Sequence, residues 1–110
     1  MQRKIRIYGS YFLDFYKSQD QKVKDKIDYV LELIKFEERV PIKFLKHLTG
    51  TDGIYEVKVS ASSKEIRIFC FFDEGRVVIL TNCFVKKTQK TPKKHLELAR
   101  KLRSQYFQNK

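Results

Sequence analysis

Between Ile54 and Phe84 the chain carries three apolar-rich runs: "IYEVKV" (Ile54–Val59), "EIRIFCFF" (Glu65–Phe72) and "RVVILTNCF" (Arg76–Phe84). The links between them, built on "ASSK" and "DEG", are long enough for a turn and no more. A parallel crossover needs a dozen or more residues, so these links force antiparallel neighbours. The segment is therefore read as a three-stranded antiparallel meander. Its parity assigns faces. Glu56 and Lys58 share one side of the first strand, with Tyr55, Val57 and Val59 on the other. In the second strand Ile66, Ile68, Cys70 and Phe72 take one side, and Arg67, Phe69 and Phe71 the other. The last run is almost continuously apolar, as expected of a strand covered on both faces.

Around the meander the periodicity changes. "RKIRIY", Arg3 to Tyr8, alternates basic with apolar and reads as a strand. "YFLDFYKS" fits a short helix. Ser18 and Gln21 match a capping box, and beyond them Val23, Ile27, Val30, Leu31 and Ile34 recur at helical spacing. That helix is expected from Gln19 to Glu37, with Pro41 just past its end. "IKFLKHL" is ambiguous and is taken as a short connection, and "GTDG" (Gly50–Gly53) as a turn. A last helix is expected to be capped by Thr91, with Pro92 at its first position and Leu96, Ala99, Leu102 and Tyr106 as its apolar stripe. The order is strand, helix, helix, three-stranded meander, helix. This is a small α+β fold, and residues 1–110 are read as a single domain.

Composition narrows the chemistry. The two cysteines, Cys70 and Cys83, lie in apolar strands and are read as reduced core thiols. The two histidines, His47 and His95, are isolated, and no Cys or His pairs stand at ligand spacing, so no metal site or other cofactor is expected. No apolar run approaches the roughly 20 residues of a membrane span, and the N-terminus is a poor secretory signal. A cytoplasmic protein with no membrane partner is expected. No P-loop, GxSxG or glycine-rich dinucleotide loop is present.

What remains is positive charge. The formal net charge is +11. Residues 1–39 carry nine basic and seven acidic groups, and residues 40–110 carry fifteen and six. From Cys83 to Arg103 there are eight Lys and Arg against one acid. Such a surface suits a polyanion. Arg67, set among apolar strand neighbours, has two readings. It is an edge salt bridge to Glu56 or Glu65, or a guanidinium whose planar fork grips phosphate oxygens. Lys58, Arg67 and the Lys86–Lys87 pair are candidates to converge at one end or face of the sheet.

The pieces "HLTGTDGIYEVKV", "EIRIFCFFDEGRVVIL" and "FVKKTQKTP" followed by a helix, in that order, resemble the RelE/ParE toxin superfamily, and within it the HigB-type branch. The likeness spans nearly the whole chain, and "KKTQKTP" after the last strand is its most specific element. The resemblance implies a toxin of a type II toxin–antitoxin module. Its RelE and HigB types cleave mRNA in the ribosomal A site without a metal, the ribose 2′-hydroxyl attacking the adjacent phosphate. By position, Lys58, Arg67, Lys86 and Lys87 carry over as the catalytic cations, with Lys90, Lys93, Lys94 and Arg100 as RNA-binding residues. Glu56 falls where RelE-type members have lysine and HigB-type members commonly have an acid. No aligned tyrosine or histidine ends the last strand, so the general acid and base stay unassigned, with Tyr106 and His95 on the last helix. The partners implied are a helix-turn-helix antitoxin, the ribosome and mRNA. Two rivals stand: a ParE-like gyrase inhibitor and a non-catalytic nucleic-acid-binding module, although the RNP aromatics of an RRM and the GXXG loop of a KH domain are lacking.

Overall fold

The computed structural model describes residues 2–110. Eight elements follow in order: β1 (Lys4–Ile7), α1 (Tyr11–Lys17), α2 (Gln21–Phe36), β2 (Leu45–His47), β3 (Tyr55–Ala61), β4 (Lys64–Asp73), β5 (Val77–Val85) and α3 (Lys93–Gln108). The strands form one mixed sheet in the order β1-β5-β4-β3-β2. The meander β3-β4-β5 is antiparallel at both joints, and β1 pairs in parallel with β5. The connection Ile42–Leu48, ambiguous in the sequence, contributes β2, which pairs antiparallel with β3 and closes the far edge. The sheet thus has five strands where four were expected.

The core lies on both faces of this sheet. On one face Val23, Ile27, Val30 and Ile34 of α2, all fully buried, meet Val57, Val59, Ile66, Ile68, Cys70, Val78 and Leu80. Their spacing is the helical stripe seen in the sequence. On the other face Ile54, Phe69 and Phe84 pack against Ala99 of α3, with Leu96 beside them. The parity assigned to β3 and β4 therefore holds.

Helix ends differ from expectation. α2 is capped by Asp20, whose Oδ1 accepts from the Val23 amide at 3.0 Å, and Ser18 instead donates to the Phe15 carbonyl at 2.6 Å. An aspartate next to the first turn satisfies an orphan N–H and complements the dipole, so it outcompetes a serine two residues earlier. The other end of α2 is held by Arg3, which donates to the Ile34 and Glu37 carbonyls at 2.9 and 2.7 Å. Thr91 does not cap α3; its hydroxyl donates to Glu56 Oε2 at 2.9 Å, and Pro92 occupies the N-cap.

One irregularity sets up the site. Ile68 pairs with Cys83 but Cys70 pairs with Leu80, so β5 holds one residue more than β4 across this interval. Thr81 and Asn82 fill the bulge, and the Thr81 hydroxyl donates to the Phe69 carbonyl at 3.2 Å. A bulge of one residue reverses side-chain parity beyond it. Val78 and Leu80 face α2 and so do Cys83 and Val85, while Phe84 turns to the α3 face. Lys86, two residues on, follows Phe84 to the side where Arg67 lies.

Candidate active site

The α3 face of the meander carries a row of cations beside the N-terminal turn of α3, whose His95 packs on Phe84. Lys58 and Arg67 are register partners across β3 and β4, and Arg67 is opposite Phe84 on β5. Arg67, Glu65, Lys86, Lys87 and the following Thr88 and Gln89 line a cleft of about 450 Å³. The Lys86 amide donates to the Glu65 carbonyl at 2.6 Å, which fixes the strand exit over β4.

Arg67 is only 9% exposed. One Nη donates to the Ile66 carbonyl at 3.1 Å and reaches Glu65 Oε1 at 3.4 Å, while Nε is enclosed with no hydrogen-bond partner. Glu65 is half-exposed and also accepts from the Ser60 hydroxyl at 2.7 Å. A long contact to a solvated, shared carboxylate neutralises little of a buried guanidinium. Of the two sequence readings, the salt bridge therefore exists but leaves donor capacity unused.

Lys58 has its pKa lowered. Burial is the main cause, followed by the charges of Lys46 and Arg67, with Lys86 adding to them and Glu56 opposing. Lys46 stands on β2 opposite Glu56 and was not singled out from the sequence. Its only signal was a lysine in the ambiguous "IKFLKHL", whose strand character was unrecognised. Glu56 is 2% exposed, the register partner of Lys46 and on the same face as Lys58. Its bond to Thr91 ties the basic loop after β5 down onto β3.

The other candidates separate. His95 stacks flat on Phe84, with ring centroids 4.3 Å apart and planes 6° apart, and its carbonyl accepts from Asn82 Nδ2 at 3.0 Å. Burial, then the Lys94 charge, lowers its pKa. The ring thus lies directly on Arg67's strand partner. Tyr106 is elsewhere: its hydroxyl donates to Asp73 Oδ2 at 2.7 Å at the other end of β4. Lys87, Lys90, Lys93, Lys94 and Arg100 are exposed, and Arg100 reaches the Gly50 carbonyl at 3.4 Å, away from the Arg67 cleft. Cys70 and Cys83 are free thiols, both pushed up to about 12 by burial, and have no part in the site. Among the described residues no cluster of His, Cys, Asp and Glu is arranged to hold a metal, and no helix is long and apolar enough to cross a membrane.

Comparison with known proteins gives the fold a context. A mutant of the Escherichia coli toxin RelE, solved in the free state with two arginines changed to alanine, superposes with a TM-score of 0.57. The match covers 76% of this chain and 82% of that one at 18% identity, a likeness of fold. No curated protein matches the sequence. Residues 14–104 match the family described as Phage derived protein Gp49-like (DUF891). That span takes in every cation of the cleft, and the chain, with its RelE-like fold, belongs to the Gp49-like family.

Proposed function

We propose that this protein is the toxin of a type II toxin–antitoxin module of the HigB type, acting in the cytoplasm as an endoribonuclease on ribosome-bound mRNA. The observation that supports the reading best is the row Lys58, Arg67 and Lys86 on one sheet face, with a buried guanidinium holding an unused donor. A RelE-like fold around such a row suits phosphoryl transfer.

In this reading Lys58, its ammonium destabilised by burial and by neighbouring cations, takes the proton of a ribose 2′-hydroxyl. The freed oxygen attacks the adjacent phosphorus. The P–O5′ bond breaks, leaving a 2′,3′-cyclic phosphate on one fragment and a 5′-hydroxyl, protonated as it leaves, on the other. Arg67 and Lys86 hold the phosphoryl oxygens, where negative charge grows in the transition state. The chain's own cations supply the charge stabilisation, so the route needs no metal. His95, fixed on Phe84, is the candidate to relay a proton from solvent to the departing O5′. The ribosome contributes substrate geometry, a term of roughly 7–11 kcal/mol for such reactions. Lys90, Lys93, Lys94 and Arg100 contact RNA phosphates. A net +11 protein that stops translation needs a neutralising partner in its own cell, and a helix-turn-helix antitoxin with an acidic face fits.

The test is primer extension on translating ribosomes. Cuts in ribosome-bound mRNA with 5′-hydroxyl ends, and weak cutting of naked transcripts, are expected. Intact mRNA with arrested supercoiling by gyrase would overturn the reading in favour of a ParE-like toxin.

A further inference from the structure

A second, larger cleft of about 550 Å³ opens between the Gly50–Gly53 turn and the C-terminal half of α3. One wall is Thr51 and Asp52, the other Arg100, Arg103 and Phe107, and Ile54 lies at its base. The turn is a built one: the Thr51 hydroxyl donates to the Leu48 carbonyl at 2.7 Å and accepts from the Ile54 amide at 3.1 Å. Arg103 is equally fixed. Its guanidinium lies over Phe107 at 5.1 Å and Phe71 at 5.8 Å, while its Nε is enclosed without a hydrogen-bond partner. Among the described residues neither arginine forms a salt bridge. Phe107 lines the cleft and is 38% exposed.

This cleft shares a sheet face with the cation row. Arg67, Phe69 and Phe71 alternate along one side of β4, and Arg103 lies over Phe71. Four residue steps along the strand separate Arg67 from Phe71, roughly 13 Å. A short stretch of single-stranded RNA spans that distance.

We propose that the cleft binds one unpaired nucleotide of the RNA, preferably guanosine, flanking the bond cut at Arg67. Arg100 and Arg103 take its phosphate, Phe107 stacks on its base and Asp52 accepts from the base edge. The proposal rests on the RNA-cleaving reading above for its setting. Each wall has a task only with this occupant. A bare phosphate would use the arginines and leave the exposed ring idle. An acidic peptide would meet the Asp52 carboxylate across the cleft. Unpaired bases are read by stacking on aromatic rings and by their Watson–Crick edges. Guanine alone among the four presents two adjacent donors, N1–H and the 2-amino group, to the two oxygens of a carboxylate.

Amide NMR of the full chain, titrated with GMP, AMP or inorganic phosphate, tests this. Saturable GMP shifts are expected at Gly50, Thr51, Ser104 and Gln108. Asp52→Asn should weaken GMP about tenfold and leave inorganic phosphate unchanged. Arg103→Ala should weaken all three ligands; because it also removes packing on Phe71, Arg100→Gln serves as the second variant, with circular dichroism as fold control. Saturable shifts confined to the Arg67–Lys86 cleft, equal GMP binding by wild type and Asp52→Asn, or displacement of GMP by a hexaglutamate peptide would each overturn the proposal. RNA cleavage by a protein whose cleft ignores GMP sinks the nucleotide site alone. GMP seated here in a protein that cuts no RNA sinks the ribonuclease reading and keeps the site.

Discussion

Arg67 is an expensive residue to place where it lies. A guanidinium 9% exposed, with one enclosed Nε unbonded, has lost water acceptors that the Ile66 carbonyl and Glu65 replace only in part. A bound phosphate would restore them. Arg67→Ala should therefore keep the fold and lower ribosome-dependent cleavage by about 10²–10³. Arg67→Lys should also be impaired, since one ammonium lacks the two-point fork. Primer extension with a circular dichroism control measures both; a folded Arg67→Ala protein cutting at the wild-type rate removes Arg67 from the chemistry. Lys58 gives a pH signature. As the base it must be neutral, so the cleavage rate should climb with pH towards a Lys58 pKa held below the ordinary 10.5 by burial and by Lys46, Arg67 and Lys86. Lys46→Ala removes one repulsive charge, which raises that pKa and should move the rising limb of kcat to higher pH. An unmoved limb would show that Lys58 is not the titrating base. Arg67 and Lys58 were legible because charge inside an apolar alternating run stands out, and Lys86 because a basic cluster follows the last strand. Lys46 was not, because three residues of edge strand leave no period to read.

At the scale of elements, α3 is fastened to the sheet by a cluster at its C-terminal end. Asp73 accepts from the Tyr106 hydroxyl and from Lys110 Nζ, each at 2.7 Å. Tyr106 also meets Phe71 and Tyr8 edge-on, with centroids 5.3 and 5.5 Å away. The Lys110 and Tyr106 hydrogen bonds hold the Asp73 pKa below its ordinary 3.8. For a depressed acid, the contribution to stability is full above the unfolded pKa and is lost as pH falls through the folded one. Asp73→Asn should thus lower the thermal midpoint at pH 6, and the gap to wild type should close below about pH 4. A gap that stays constant down to pH 2 would mean that ionised Asp73 does not anchor the helix. The sequence foretold which helices and meander strands exist, because each has a long period and clear breakers. It did not disclose the β5 bulge. Both faces of that strand are buried, so Val78 to Leu80 is apolar throughout and a parity change within the run leaves no trace in the pattern. Yet the bulge brings Phe84 to the α3 face and Lys86 to the Arg67 cleft. Thr91 was misassigned for a related reason: its partner, Glu56, lies 35 residues away.

For the whole molecule, the uneven charge divides labour between holding and cutting. Fifteen of the 24 basic residues lie beyond residue 39, and Lys87, Lys90, Lys93, Lys94, Arg100 and Lys101 are solvated, with the Lys93 side chain 90% exposed. Its contact to Glu97, at 4.0 Å on an open surface, leaves the charge available to a polyanion. Such lysines act through counterion release, so they set affinity and its salt dependence without touching the reacting atoms. The double variant Lys93→Ala/Lys94→Ala should weaken ribosome binding at low salt and flatten the slope of log Kd against log salt by about one to two. Its kcat at saturating ribosomes should match wild type, because the Lys58–Arg67–Lys86 row is unaltered. Arg67→Ala should behave in the opposite way, losing kcat while keeping most of the salt slope. Sedimentation binding between 50 and 200 mM salt, alongside single-turnover cleavage, separates the two. If the double variant lost kcat with an unchanged salt slope, the basic helix would belong to the catalytic machinery and the division of labour would fall.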